Sequence, residues 1–182
     1  VYEHPVTIVP GTPTLERYRS AKLIWLRDYS LSARLDWRPG DAGVLVAHGD
    51  QGGGYVIYIE DDRVHYLHNG GARTWSIDGG SVGDAGPRVV ECRAVNSGAG
   101  TVAITLAVDG EDRGHLDAVP MLIGMAPFEG IDVGIDRRSP VSWDLWQRHR
   151  SFPYSGHLHS VTVTPGELAP TNGLRWIDFL KQ

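Results

Sequence analysis

Ser30-Leu31-Ser32-Ala33-Arg34-Leu35-Asp36-Trp37 alternates polar and apolar residues for eight positions without a break. Successive side chains of a strand point to opposite faces, so Leu31, Ala33, Leu35 and Trp37 share one face and Ser30, Ser32, Arg34 and Asp36 the other. The stretch reads as a half-buried strand with Trp37 on the core side, stopped by Pro39-Gly40. Just downstream, Gly43–His48 is apolar on both faces, as in an interior strand. Tyr55–Glu60 and Arg63–His68 flank Asp61-Asp62 and read as a hairpin that ends at Asn69-Gly70-Gly71. Arg88–Val95 and Thr101–Val108 pair around Asn96–Gly100, and Asp109-Gly110 offers a type I′ turn into Arg113–Leu116. Gly130–Ile135 and Leu158–Thr164 add two more strands.

Nine or ten short strands at hairpin spacing, with no helices between them, specify an all-β fold. Each sheet must bury one face, and a two-sheet antiparallel β-sandwich of the jelly-roll or concanavalin-like kind does so. Leu35, Trp37, Val46, Ile57, Ile104, Leu106 and Val133 are its expected core. Helical patterning is confined to Thr14–Leu26, with Thr14 as N-cap, and to a short C-terminal helix at Leu174–Leu180 behind Asn172-Gly173. The expected organisation is one domain over 1–182, with an extended N-terminal segment over 1–20 and a tail over 166–182. The opening at Val1, followed by an extended Pro-containing stretch, reads as a piece of a longer chain.

Composition narrows the partners. The 182 residues are 41% hydrophobic and 21% charged, ordinary globular usage, with 23 Gly and 11 Pro spread throughout. The formal net charge of -5 implies no basic face, so nucleic acid is not an expected partner. No apolar run approaches the roughly 20 residues of a membrane-spanning helix, and no membrane partner is expected. The lone Cys92 cannot form an intramolecular disulfide; it is compatible with a reducing compartment, and a cytoplasmic location is the expectation.

Several residue clusters invite chemistry and fall short of it. Gly52-Gly53-Gly54 precedes a strand, whereas a phosphate-binding loop opens a helix; a tight connection with close backbone approach is the plainer reading. His157 and His159 share one face of a strand, but no acidic residue sits at a third-ligand spacing, and His65 and His68 point to opposite faces, so no metal site is assigned. Glu129, Asp132 and Asp136 do not match the acid pattern of sandwich glycosidases, and Arg137-Arg138 suggests a salt-bridged turn. Cys92 lies mid-strand on the apolar side of the alternation, as a buried, inert thiol would. No catalytic residue and no cofactor is assigned to this chain.

The segment Ser139–Tyr154 stands apart as a loop rich in Arg, His and Pro. Loops of about 12–15 residues or more are uncommon unless they serve a function. This one carries Trp143, Trp146 and Phe152, costly to leave in water, beside Arg148, His149 and Arg150, which suit a rim meeting acidic groups or sulfate oxygens. Trp143, Trp146, Arg148, His149 and Arg150 are therefore the candidate docking residues. The competing reading is that both tryptophans cover the domain's own sheet.

Two separated stretches resemble a known family. Gly43-Val-Leu-Val-Ala-His-Gly-Asp-Gln-Gly-Gly-Gly-Tyr55, with the Tyr-Ile-Glu hairpin and His68-Asn69 after it, is one. The other runs Gly130-Ile-Asp-Val-Gly-Ile-Asp-Arg-Arg-Ser-Pro-Val-Ser-Trp143, then Phe152-Pro-Tyr-Ser-Gly156 and Leu158-His-Ser-Val-Thr162. In order and spacing they resemble the C-terminal accessory domain of the bacterial, actinobacterial-type arylsulfatase family, over most of residues 6–165. That resemblance implies a non-catalytic domain docked on, and shaping, an N-terminal sulfatase catalytic domain of the same polypeptide. Formylglycine and Ca²⁺ would belong to that parent enzyme. The formylglycine motif Cys/Ser-x-Pro-x-Arg is missing: Cys92 is followed by Arg-Ala-Val-Asn, so this chain alone is expected to have no sulfatase turnover. Beside this reading stand an independent carbohydrate-binding, lectin-like module and a stand-alone enzyme; fold alone does not choose among them.

Overall fold

The computed structural model describes residues 4–123 and 126–169. In chain order these form β1 (Val6–Ile8), α1 (Arg17–Ile24), β2 (Arg27–Trp37), β3 (Gly43–Asp50), β4 (Gly53–Glu60), β5 (Arg63–Asn69), β6 (Thr74–Ser81), β7 (Gly86–Gly98), β8 (Thr101–Val108), β9 (Glu111–Pro120), β10 (Ile131–Val133), α2 (Trp143–His149) and β11 (His157–Leu168). A six-stranded sheet ordered β1-β11-β2-β7-β8-β9 packs on a five-stranded sheet ordered β10-β3-β4-β5-β6. Neighbouring strands are antiparallel throughout both sheets. This is the two-sheet jelly-roll sandwich that the alternation of β2 announces.

The main core fills the space between the sheets. Leu31, Ala33, Leu35 and Trp37 all point into it, and the seven residues named from sequence as core are buried. Trp37 satisfies its indole N–H by donating to the Gly83 carbonyl at 3.1 Å, which lets so large a ring lie fully buried. Tyr29, Tyr55 and Tyr66 stack in series, with centroid separations of 6.0 and 6.3 Å. Cys92 is buried among them, and desolvation pushes its thiol up to about 12. It is the inert thiol expected of its position.

Turn chemistry follows the sequence signals. Asp61 and Asp62 take φ of 51° and 59° and close the β4–β5 hairpin; Asp109 and Gly110, at 51° and 80°, do the same between β8 and β9. Asp tolerates this left-handed region better than most residues, as type I′ turns require. The glycine cluster is a close-approach connection: Gly49 faces Gly54 across β3 and β4, and a Cβ on Gly54 would collide with the His48 carbonyl.

The smaller sheet carries a second apolar layer on its outer face. Val44, Ala47, Val56 and Tyr58 project outward from β3 and β4 and are covered by Val141 and Leu145, with Leu67 and Phe152 at the margin. This explains why β3 reads as apolar on both faces: the segment 136–154 folds back over it. Asp136 pins the fold-back, its carboxylate accepting from the Val141 amide at 2.9 Å. Burial pushes the Asp136 carboxyl up to about 7, and the negative charges of Asp132, Glu129 and Asp50 add to the rise.

The structure departs from the sequence reading at several places, beginning with the two edge strands β1 and β6, which the alternation does not mark. The segment Ser139–Tyr154 is not an irregular loop; it contains α2, capped by Ser142, whose hydroxyl accepts from the Leu145 amide at 3.2 Å. Only Leu145 of this helix is buried, so an apolar stripe was too short to register as a helical period. The N-terminal helix starts later than Thr14. Glu16 caps it by accepting from the amides of Tyr18 and Arg19, while Thr14 donates its hydroxyl to Asp132 at 2.6 Å. Residues 17–20 are thus helical rather than extended. At the other end β11 runs to Leu168, into the expected tail, because its edge pairs with β2. The helix expected at Leu174–Leu180 lies outside the described residues.

Two measurements test this account. Leu106→Ala, deep in the main core, should cost about 2–5 kcal/mol in urea denaturation; a loss under ~1 kcal/mol would mean the sheets do not pack through this residue. For Asp136 the folded carboxyl titrates above its ordinary value of 3.8, so the native state binds more protons than the unfolded chain between about pH 4 and about 7. Stability therefore falls as pH rises through that window. Asp136→Asn keeps an acceptor for the Val141 amide and removes the charge. Its stability advantage over wild type should widen from pH 4 and level off above pH 7, by the order of 1 kcal/mol per unit of the interval. A difference independent of pH would show that the Asp136 carboxyl is not held neutral by burial.

Candidate functional site

The fold-back over β3 and β4 sets the geometry of one surface. Val141 and Leu145 anchor α2 by its inner side, which turns Trp143 and Trp146 outward. Residues three apart on a helix are neighbours, and the two indoles stack, with centroids 4.6 Å apart and planes inclined by 17°. Trp143 is the outer ring and stays 46% exposed. The Arg150 guanidinium lies over the Trp146 ring, 4.6 Å from its centroid, a favourable cation–π arrangement. Arg150 and Phe152 hold φ of 63° and 44°, conformations that cost of order 1–3 kcal/mol at non-glycine residues and that surrounding packing must enforce. The platform is therefore fixed rather than loosely tethered.

The other cations of the segment are turned to the domain itself. Arg148 donates twice to Glu60, at 3.2 and 3.1 Å, and His149 Nε2 also contacts that carboxylate. His149 further stacks on Phe152 at 4.1 Å. Burial favours a neutral Glu60, but the hydrogen bonds from Arg148 and His149 outweigh it and hold the carboxyl below its ordinary value. Of the five candidate docking residues, the structure brings Trp143, Trp146 and Arg150 together as one surface group, with Trp143 and Arg150 exposed and Trp146 half-buried between them. Arg148 and His149 belong to an ion pair that clamps the end of α2 to β4.

Beside Trp143 lies a shallow cleft of about 220 Å³, bordered by Gln51, Asn69, Thr74, Ser142 and Asp144. Asn69 builds its floor by tying three segments: the amide donates to the Gln51 and Val141 carbonyls at 3.0 and 2.9 Å, and its oxygen accepts from Gly71 at 2.8 Å. An exposed indole face next to hydroxyl, amide and carboxylate groups suits a ring that is apolar on one face and polar at its edge. Sequence reasoning found the tryptophans but not this cleft. Gln51, Asn69 and Thr74 are some 70–90 residues upstream of Trp143, and nothing in their local pattern marks them.

The remaining clusters take structural roles, with one exception. His65 and His68 point to opposite faces as expected: His65 stacks on Tyr58 outside, whereas His68 is buried, bonded to Tyr66 and to the Pro120 carbonyl and lowered by burial to about 4. His48 is fully buried, and desolvation lowers it to about 3. Arg137 pairs with Asp132 at 2.8 Å, a salt-bridged turn as the sequence suggests, though to the earlier of the two aspartates. Asp50 braces the same corner by accepting from Gly52 and Glu129 amides. The exception is the pair His157 and His159, which the fold brings to Asp36.

No family model matches the chain, and no curated protein matches it. Solved structures do. The carbohydrate-binding module CBM40 of the Ruminococcus gnavus IT-sialidase, solved with α2,3-sialyllactose, superposes with a TM-score of 0.62 over 94% of each chain at 14% identity. The leech intramolecular trans-sialidase matches at 0.57 and 13% identity, over 93% of this chain and 26% of that one. Domains LG4-5 of the mouse laminin α1 chain match at 0.56 and 8% identity, over 91% of this chain and 40% of theirs. At such identities the likeness establishes a shared jelly-roll sandwich and nothing finer.

Proposed function

We propose that this domain is a glycan-binding, lectin-like module, and that it binds through Trp143 and the polar cleft at its side. The observation that carries the reading is the partly exposed, stacked indole at the border of a cleft edged by hydroxyl, amide and carboxylate groups. A pyranose would lay its C–H face on Trp143 while its hydroxyls exchange hydrogen bonds with Asp144, Gln51 and Thr74. Likeness in fold to a module solved with sialyllactose supports the same class of ligand and identifies no particular sugar. In this reading the chain is a binding module and does no chemistry of its own.

Docking on a sulfatase catalytic domain of the same polypeptide is the second reading. The same exposed Trp143 favours it, since a large aromatic ring is a common anchor of a protein interface. The engagement of Arg148 and His149 with Glu60 leaves it fewer groups for the rim.

A glycan array probed with this chain should return saturable binding. A solution titration then follows, with α2,3-sialyllactose as first probe and lactose as its neutral control. Trp143→Ala should weaken binding of the arrayed hits at least tenfold, about 1.4 kcal/mol, with an unchanged melting temperature. An array without a hit sinks the glycan reading. So does binding indifferent to Trp143. Docking would instead show itself if Trp143→Ala weakened capture of a separately expressed sulfatase catalytic domain.

A further inference from the structure

On the outward face of the six-stranded sheet, Asp36 of β2 lies directly opposite His157 of β11. Between the pairs Leu158–Leu35 and Ser160–Arg34 the register shifts, so that His159 is the extra residue of a β-bulge. Bulges re-aim side chains, and this one keeps Leu158 and Val161 pointing into the core while two imidazoles, not one, stand against a single carboxylate. His157 Nδ1 lies 3.2 Å and His159 Nε2 3.0 Å from the same oxygen, Asp36 Oδ2. All three donor atoms fall within 4.8 Å of one another.

We propose that Asp36, His157 and His159 form a surface site for a first-row divalent transition-metal ion such as Zn²⁺. Zinc binds imidazole nitrogen and carboxylate oxygen at about 2.0–2.2 Å, which in a tetrahedron separates adjacent ligand atoms by about 3.3 Å. The two N···O separations lie close to that edge length, and the nitrogens lie within 4.8 Å of each other. Imidazole with carboxylate is a donor set for zinc and its neighbours, whereas Ca²⁺ and Mg²⁺ prefer oxygen alone. Three protein ligands leave a fourth position to water. That position faces a cleft of about 280 Å³ that Asp36 and His157 border together with Arg38, Asp41 and Ser155.

Stability alone does not account for the convergence. The side chains of Asp36, His157 and His159 are 44%, 69% and 46% exposed, and ion pairs at such exposure contribute little to folding. The site lies on the sheet opposite the one that α2 covers, so it does not rest on the glycan reading.

The test is calorimetric titration of the untagged chain with zinc chloride at neutral pH, with circular dichroism to verify the fold of each variant. Wild type should bind one equivalent of Zn²⁺. His157→Gln, His159→Gln and Asp36→Asn should each weaken that binding at least tenfold, while His115→Gln, which alters another exposed histidine–aspartate pair, should leave it unchanged. All four positions are at the surface, so loss of fold does not mimic loss of the ligand. Absence of a saturable equivalent in wild type overturns the proposal. Retention of that equivalent in His159→Gln and Asp36→Asn does so too.

Discussion

Strands β3 and β4 present apolar side chains on both faces, and a sandwich of two sheets can cover only one of them. Left in water, the outward face formed by Val44, Ala47, Val56 and Tyr58 would forfeit the stabilisation that burial gives, roughly 25 cal/mol for each Å². The chain meets this demand with its own segment 136–154. Val141 and Leu145 seal the sheet, Asp136 and Ser142 hold the backbone in place, and Glu60 secures Arg148 and His149 at the far end. The outward display of Trp143 and Trp146 is a consequence of that sealing. A helix of seven residues that buries one leucine leaves Trp143 exposed and Trp146 half-buried, while Arg148 and His149 turn to Glu60.

The corner where this segment leaves the sheet gathers Asp50, Glu129, Asp132 and Asp136. The carboxylates of Asp50, Asp132 and Asp136 brace backbone amides or an arginine, and Glu129 gives its amide to Asp50, which satisfies polar groups that burial would otherwise leave unpaired. The cost appears at Asp136, where desolvation and three like charges oppose ionisation. A structural use of these acids agrees with the absence of a glycosidase pattern in the sequence around Asp132. It also separates them from the exposed Asp36 group, where the carboxylate meets two imidazoles at the surface.

Both surfaces read as functional here arise where the backbone breaks its regular pattern. The aromatic platform follows a helix inserted between β10 and β11 and flanked by residues at positive φ. The histidine pair sits at a bulge in β11. Regular sandwich geometry alternates in and out and places one side chain opposite another. A bulge or an inserted helix changes that count and brings side chains into new groups. The match of this fold to sialidase-associated and laminin domains at 8–14% identity rests on the sandwich that all of them share.

Local patterning by itself determined nine of the eleven described strands, their turns and the inward face, but not the edge strands β1 and β6. The alternation of Leu31 to Trp37, the Asp-Asp and Asp-Gly turns and the inert position of Cys92 were legible because they depend on neighbours two to four residues away. That Trp143 and Trp146 belong to a segment set apart from the strands was legible, but not which of them stays exposed: Trp143 does, while Trp146 is half-buried. The cleft beside them and the diversion of Arg148 and His149 to Glu60 were not legible, since each joins segments some 70–90 residues apart. Asp36 shows the limit most plainly. No spacing rule links it to His157, 121 positions away; only the antiparallel pairing of β2 with β11 sets them side by side. Local periodicity decides which way a side chain faces, but strand order and register decide which others it meets.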